Sequence, residues 1–296
     1  MTENPGAGAS RPRLSVFVTT YNEEHNIAAC LDSLLWADEI IVVDSYSTDR
    51  TPEIVRSYPQ VTFLQRTYYG AASQKNWCMD RCQHDWILIF DADERCLPEL
   101  RSEIEQLLAE GPKFDAYTIR RRVFFLGKVI RFSGWQRDQV VRLVRKGTAR
   151  YPNRRVHADM KTQGPAPLLK SRMDHHMVDD FHLYALRIVK YGRWGAAQAY
   201  REGKNSGLAE VLGRSLWRFI RTYIVQLGVL DGMRGLVFCL LQAFGTYMKW
   251  SILWSWRINE ARGLKPELPE FDDSEKTWSR EAEEDSPQRE EGQPGA

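Results

Sequence analysis

Cysteine is scarce in this chain. Five residues in 296, Cys30, Cys78, Cys82, Cys96 and Cys239, are scattered, and none forms a C-x-x-C pair. That excludes a disulfide scaffold, argues against a structural zinc and points to a reducing compartment. Met1 to Arg13 is polar, rich in glycine and proline, and has no apolar run of the kind a signal peptide carries. The uncharged stretch Gly235–Met248 is fourteen residues long. It falls short of the roughly 20 that cross a bilayer. No internal repeat and no recognisable nucleic-acid-binding motif is present. Apolar residues make up 43% and aromatics 11%, which excludes a chain that is mostly disordered.

Net charge is +2, but it is unevenly placed. Residues 264–296 hold 11 acids and 4 bases, leaving the rest of the chain at +9. Arg120 to Arg172 holds 15 Lys and Arg against Asp138 and Asp159 alone. Such a stretch is either a solvated basic face or the seat of an anion: a nucleotide, a phospholipid surface or a nucleic acid.

Residues 1–12 read as a disordered leader. An alternation of strand and helix patterns then runs for about 100 residues. Leu14–Val18, Glu39–Val43, Val61–Leu64 and Trp86–Phe90 are β-rich runs. Between and after them lie a helical spacing of Ile27, Cys30, Leu31, Leu34 and Leu35, a start at Thr51-Pro52, a helix over about Ala71–Arg81, and one opening at Leu97-Pro98. Four β-α units predict an α/β fold, a mostly parallel sheet flanked by helices, with ligands outside the carboxyl ends of the strands. Beyond them, Phe124–Leu126 and Val140–Val144 are strand candidates, Phe181–Tyr200 a helix and Asn205–Gly213 a break. Leu216–Trp256 is long, aromatic and apolar, and the acidic end lacks periodicity.

Three polar clusters follow strands and so share one rim: Thr19–Glu24, Asp44–Asp49 and Asp91–Glu94. Asp91 and Asp93, one residue apart after a buried strand, suit Mg²⁺ or Mn²⁺, hard cations that keep positions for phosphate oxygens. Asp44 is a candidate acceptor for a nucleobase N–H, or else a turn cap. Tyr21 offers a stacking face, and Thr19 and Glu23 offer bonds to base or ribose. Gln74 and Lys75 open the third helix, where a diphosphate is favoured.

V-F-V-T-T-Y-N-E-E-H-N-I, V-V-D-S-Y-S-T-D-R-T, Q-K-N-W and W-I-L-I-F-D-A-D-E-R resemble, in order and spacing, the motifs of family 2 glycosyltransferases of GT-A fold. Gly134-Trp135, Arg142-Leu143-Val144-Arg145 and Arg154-Arg155-Val156-His157 narrow the resemblance to the branch of lipopolysaccharide inner-core β-1,4-glucosyltransferases, over about residues 13–190. The resemblance implies inverting transfer from a nucleotide-sugar, a UDP-sugar first, to a lipid-linked or lipopolysaccharide-type acceptor in cell-envelope glycan synthesis. It implies Thr19, Tyr21 and Asp44 around the nucleoside, and Asp91 and Asp93 around ribose, metal and diphosphate. His157 is a candidate third metal ligand, and Arg142 and Arg155 are candidates for acceptor phosphate. An inverting reaction needs a base on the acceptor hydroxyl. Where that branch has Glu after Val-His, this chain has Ala158, so Asp138 and Asp159 become the candidate bases. The branch's D-S-G-S is D-S-Y-S here, with Tyr46 in the glycine's place.

The organisation expected is a GT-A domain over 13–200, an apolar helical extension over 201–263 that associates with a membrane, and an acidic disordered tail over 264–296. Tryptophans beside Lys249 suit a helix lying on the membrane surface. The expected location is cytoplasmic, peripheral on the inner face of the cytoplasmic membrane, with no nucleic-acid partner. A polyprenyl-phosphate glycosyltransferase, a nucleotide-sugar-binding protein without turnover, and a nucleic-acid-binding protein are the competing readings.

Overall fold

The computed structural model describes residues 11–152, 159–178 and 180–269. The chain opens as β1 (Leu14–Thr20), α1 (Ile27–Asp32), β2 (Glu39–Asp44), α2 (Thr51–Arg56), β3 (Val61–Gln65), α3 (Ala71–Arg81) and β4 (Trp86–Asp91). It continues as β5 (Glu94–Cys96), α4 (Pro98–Glu110), β6 (Ala116–Phe125), β7 (Lys128–Val129), β8 (Gln139–Arg145), β9 (Ala149–Arg150), β10 (Lys161–Thr162) and β11 (Leu168–Val178). Three helices end it: α5 (Phe181–Arg201), α6 (Arg214–Ile220) and α7 (Gly232–Ala261).

The main sheet runs β3-β2-β1-β4-β8-β6-β11-β5, with β7 paired to β6. Its first four strands are parallel. They read as continuous apolar runs because both faces are covered. In β1, Leu14, Val16 and Val18 face a core built with Ile27, Leu31, Leu100 and Ile104, while Phe17 faces Cys78 and Met79 of α3. The chain leaves β1 in one direction to β2 and β3, then returns to β4 on the other side of β1. That switch point brings Thr19 and Asp91 opposite each other in register.

The second half of the sheet is mixed. β8 is antiparallel to β4 and β6, β11 is parallel to β6, and β5 is antiparallel to β11. The expected strand at 140–144 lies within the longer β8, whereas that at 124–126 overlaps only the end of β6, because Leu126 already turns towards β7 with φ +48°. β11, eleven residues long, has no counterpart in the sequence reading. The helix starting at Thr51-Pro52 begins at Thr51 itself, with Arg50 in the cap position, because the Thr51 hydroxyl is taken by the Glu23 N–H.

The break expected at 205–213 is partly helical: Ala209–Gly213 is a π-turn that runs into α6, and a second π-turn, Arg221–Val225, follows it. The long apolar stretch therefore divides. α6 turns through Gly228–Asp231 into α7. α5 lies on α7 through small residues, and a Cβ on Gly192 would stand 2.9 Å from that of Met248. Phe238 of α7 packs on Phe125, Ile130 and Trp135, tying the helices to the sheet. The five cysteines are buried thiols.

Candidate active site

Asp91 ends β4 at the switch point. Its carboxylate accepts from Thr19 Oγ1 at 2.8 Å, Lys75 Nζ at 2.9 Å and Arg142 Nη2 at 2.7 Å. β1, α3 and β8 each supply one of those donors. Burial works to raise the Asp91 pKa, but Lys75 and Arg142 hold it well below the usual carboxylate range. Two residues on, Asp93 lies 3.4 Å from His175 Nε2 of β11. Burial again opposes the charge, and the imidazole overrides it, so Asp93 stays an anion. Burial lowers the His175 pKa, but Asp93 and Glu94 raise it above the ordinary histidine value. His175 Nδ1 is buried with no hydrogen-bond partner among the described residues.

Glu94, between these residues and the core, is fully buried. Its carboxylate accepts from the Asp91 N–H at 2.9 Å and from Arg142 Nη2 at 2.7 Å. Arg121 reaches Glu94 at 3.4 Å and grips Asp138 with two bonds of 2.7 and 2.9 Å. Beneath the rim, Glu23 accepts from Asn26 at 2.9 Å and lies 3.7 Å from Arg187 of α5. Burial, reinforced by Asp93, pushes the Glu23 carboxyl up to about 7. Tyr191, one helical turn beyond Arg187, is close enough for Asp93 and Asp91 to act on its hydroxyl.

Thr19, Lys75, Asp91, Asp93 and Arg142 are thus brought together, with Glu23 adjoining. Tyr21 stands half-exposed above them. Asp44 is buried and accepts from the Ser47 N–H, the Ser47 hydroxyl and Gln65 Nε2, so its carboxylate serves as the cap of the following turn. Gln74 points inward, accepting from Arg66 at 3.0 Å. Arg142 is nearly buried on Asp91 and Glu94, away from the exposed basic face where an acceptor phosphate would first arrive. Asp159 is exposed. Arg155 and His157, with Ala158, lie outside the described residues. The chain leading to them is fixed beside Lys75, because Asn76 of α3 exchanges two hydrogen bonds with the Tyr151 backbone. Tyr46 holds φ +59°, the left-handed backbone that a glycine adopts at no cost.

Sequence reasoning gave no role to Glu94, His175, Arg187 or Tyr191. Glu94 belonged to a cluster already quoted. His175 carried no signal in Met173-Asp174-His175-His176-Met177, where polar side chains stand on both faces of β11.

A parallel β-α half-sheet whose switch point presents two aspartates beside cations is where open α/β sheets bind their ligands. Residues 15–169, just over half of the chain, match glycosyl transferase family 2, and the chain belongs to that family. It is 28% identical over 251 residues to the lipopolysaccharide core biosynthesis glycosyltransferase LpsC of Rhizobium meliloti (strain 1021), covering 80% of this chain and 92% of that protein. An uncharacterized glycosyltransferase of Rickettsia typhi is 25% identical over 249 residues, covering 80% and 85%. Among solved structures, the mannosyltransferase PcManGT of Pyrobaculum calidifontis in complex with GDP-Man and Mn²⁺ is similar at TM-score 0.44 and 19% identity, over 95% of this chain and 83% of that one. The fold is the mixed α/β GT-A type, and the protein is a glycosyltransferase.

Proposed function

We propose that this glycosyltransferase transfers a sugar, with inversion and with a divalent metal, from a nucleotide-sugar to a lipid-linked or lipopolysaccharide-type acceptor. A UDP-sugar is the first donor to test. The observation that carries the reading is the convergence of Thr19, Lys75 and Arg142 on Asp91, with Asp93 two residues away. Family membership supports the transfer chemistry, and the name of LpsC supports the acceptor class.

Among the described residues no group of three or more His, Cys, Asp or Glu side chains forms a ready metal cage. The donor set still fits Mg²⁺ or Mn²⁺, which take one or two carboxylates and leave the remaining positions to water and phosphate oxygens. Asp93 carries the available charge, since its ion-pair partner among the described residues is a titratable imidazole. Asp91 already faces two cations and contributes second. When bound, the metal would offset the charge of the departing diphosphate. The chain's own residues do the rest. Lys75 and Arg142 present positive charge to the diphosphate, Thr19 and Glu94 hold Asp91 and Arg142 in place, and Tyr21 covers the nucleoside. Asp159, exposed beside the basic stretch, takes the acceptor proton. Cytoplasmic nucleotide-sugar and a lipid-borne acceptor place the enzyme at the inner face of the membrane, with 13–200 as the catalytic domain, 201–263 as the membrane-associating part and 264–296 as an acidic tail.

Calorimetric titration of UDP with and without Mn²⁺ tests this, beside Asp93→Ala. Metal-dependent binding that the substitution abolishes, with the melting temperature kept, is the expected result. Equal binding by both proteins would remove Asp93 from the metal.

A further inference from the structure

The segment between α5 and α7 is helical for most of its length, yet it turns its apolar side chains outward. In the path Ala209–Val225, residues four apart share a face. One row runs Leu212, Leu216 and the exposed Ile224; the next runs Trp217, Arg221 and Val225. Leu216 is 61% exposed, Trp217 58% and Val225 63%, and the turn into α7 adds Leu230 at 62% and Met233 at 73%. The opposite face holds the segment in place: Thr222 is buried, Arg218 donates to Gln242 of α7 at 2.8 Å, and Ser206 donates to the Trp250 carbonyl at 2.8 Å. An apolar face fixed outward in this way marks an interaction site.

Charge identifies the occupant. Lys204–Arg234 carries five cations against Glu210 and Asp231; Lys204 pairs with Glu202, Arg218 donates to Gln242 and Arg234 to the Leu126 carbonyl, which leaves Arg214 and Arg221 for an outside partner. Both acids are used as backbone acceptors: Glu210 by the Gly207 N–H, and Asp231 by the Arg131 and Phe132 N–H groups. Arg221 is exposed among the apolar side chains, and Arg214, also exposed, lies at the edge of that face over the Trp250 ring. A second copy of the same face would set these arginines against their like. A surface of lipid phosphates over acyl chains answers both the charge and the apolar rows.

We infer that Leu208–Met233 docks flat on an anionic phospholipid bilayer. This deepens the lipid-borne acceptor reading, and rests on it only for the purpose of docking. It places the contact inside the expected 201–263 extension, ahead of Lys249 and its tryptophans. The helix Gly228–Ala261 is long and apolar enough to cross a membrane. One side of it, with Phe238, Cys239, Trp250, Leu253 and Trp256, is buried against the protein, while Leu240, Phe244, Tyr247 and Trp254 are exposed and extend the apolar surface. The docking segment is joined directly to the catalytic half. The Ser133 N–H donates to the Gln226 carbonyl at 2.9 Å, Asp231 caps residues 131 and 132, and Asp138 follows in the same loop. A bilayer beneath 208–233 therefore lies next to the loop that leads into β8, the strand that carries Arg142.

The test is co-sedimentation of the full chain with vesicles of phosphatidylcholine alone and of phosphatidylcholine mixed with phosphatidylglycerol. It is run on the unaltered protein, on L216S/W217S and on R221E. Both variants change exposed side chains, and thermal melts and UDP titration check that fold and donor site persist. The expected result is binding to the mixed vesicles, weakened by added salt and lowered roughly tenfold in either variant, with UDP affinity unchanged. Three results would overturn docking: no sedimentation with the mixed vesicles, equal sedimentation of all three proteins, or a lipid-free dimer that L216S/W217S dissolves. Failure there with UDP binding intact leaves the donor reading standing, whereas loss of UDP binding with docking intact strikes only that reading.

Discussion

Arg142 and Glu94 meet at 2.7 Å with their side chains 3% and 0% exposed. The same guanidinium nitrogen bonds Asp91, so Glu94 fixes the cation that faces the catalytic rim. Removing one member of a buried pair leaves the other charge without compensation, at a cost of about 3–5 kcal/mol. Glu94→Gln keeps the shape and removes the charge. Chemical denaturation is expected to show a loss of about 3 kcal/mol, with weakened UDP binding. A change below about 0.5 kcal/mol would mean that solvent reaches Arg142.

Asp138 and Asp159 differ in what holds them. Both Asp138 oxygens are engaged by Arg121, whereas Asp159 is exposed. Asp159→Asn is expected to abolish UDP release in the presence of acceptor while donor binding persists. Asp138→Asn is expected to act chiefly on stability, by about 1–3 kcal/mol, because it frees Arg121. If both variants turn over normally, the base lies elsewhere.

Glu23 gives the site a pH signature. Its carboxyl stands at about 7 against a reference of 4.5, chiefly through burial. Between those values the folded state binds more protons than the unfolded one, so this group's contribution falls as pH rises through the window and levels off above 7. Glu23→Gln is expected to flatten the decline of melting temperature between pH 5 and 7 by up to about 3 kcal/mol of stability. A parallel pair of curves would show that Arg187 already keeps Glu23 ionised.

Tyr46 occupies left-handed backbone with its ring 55% exposed. A side chain there costs about 1–2 kcal/mol that glycine avoids. Tyr46→Gly is expected to raise the melting temperature. Weaker UDP binding in the same variant would show that the ring lines the nucleoside site, and unchanged binding would make it a bystander.

The first half of the molecule was legible because burial on both faces of a parallel sheet leaves unbroken apolar runs such as Trp86–Phe90. Residues that end those runs share a rim by topology, so Thr19, Asp91 and Asp93 could be grouped before any coordinates, with Lys75 offered separately from the opening of the third helix. β11 was hidden because both its faces are polar in part. Asp174 pairs with Arg122 on one side and His175 with Asp93 on the other, so no apolar alternation survives. Arg142 was read from its basic stretch as a candidate for acceptor phosphate, and only the pairing of β8 with β4 shows it on Asp91. Asp44 was legible only as two alternatives, a base acceptor or a turn cap, because the Ser47 and Gln65 donors it accepts are a matter of turn geometry.

The pairing of β5 with β11 also sets an order of events during synthesis. Glu94 and His175 are register partners about eighty residues apart in the chain, and such distant contacts form late. A ribosome that has released β1 to β4 has released everything the parallel half needs, while Asp93 still awaits its histidine. The region matching the family ends at 169, the second residue of the strand that brings that histidine. A gene trimmed to the family boundary would therefore yield a chain with a foldable nucleotide half and an acidic edge left open, competent at most for the first stage of maturation.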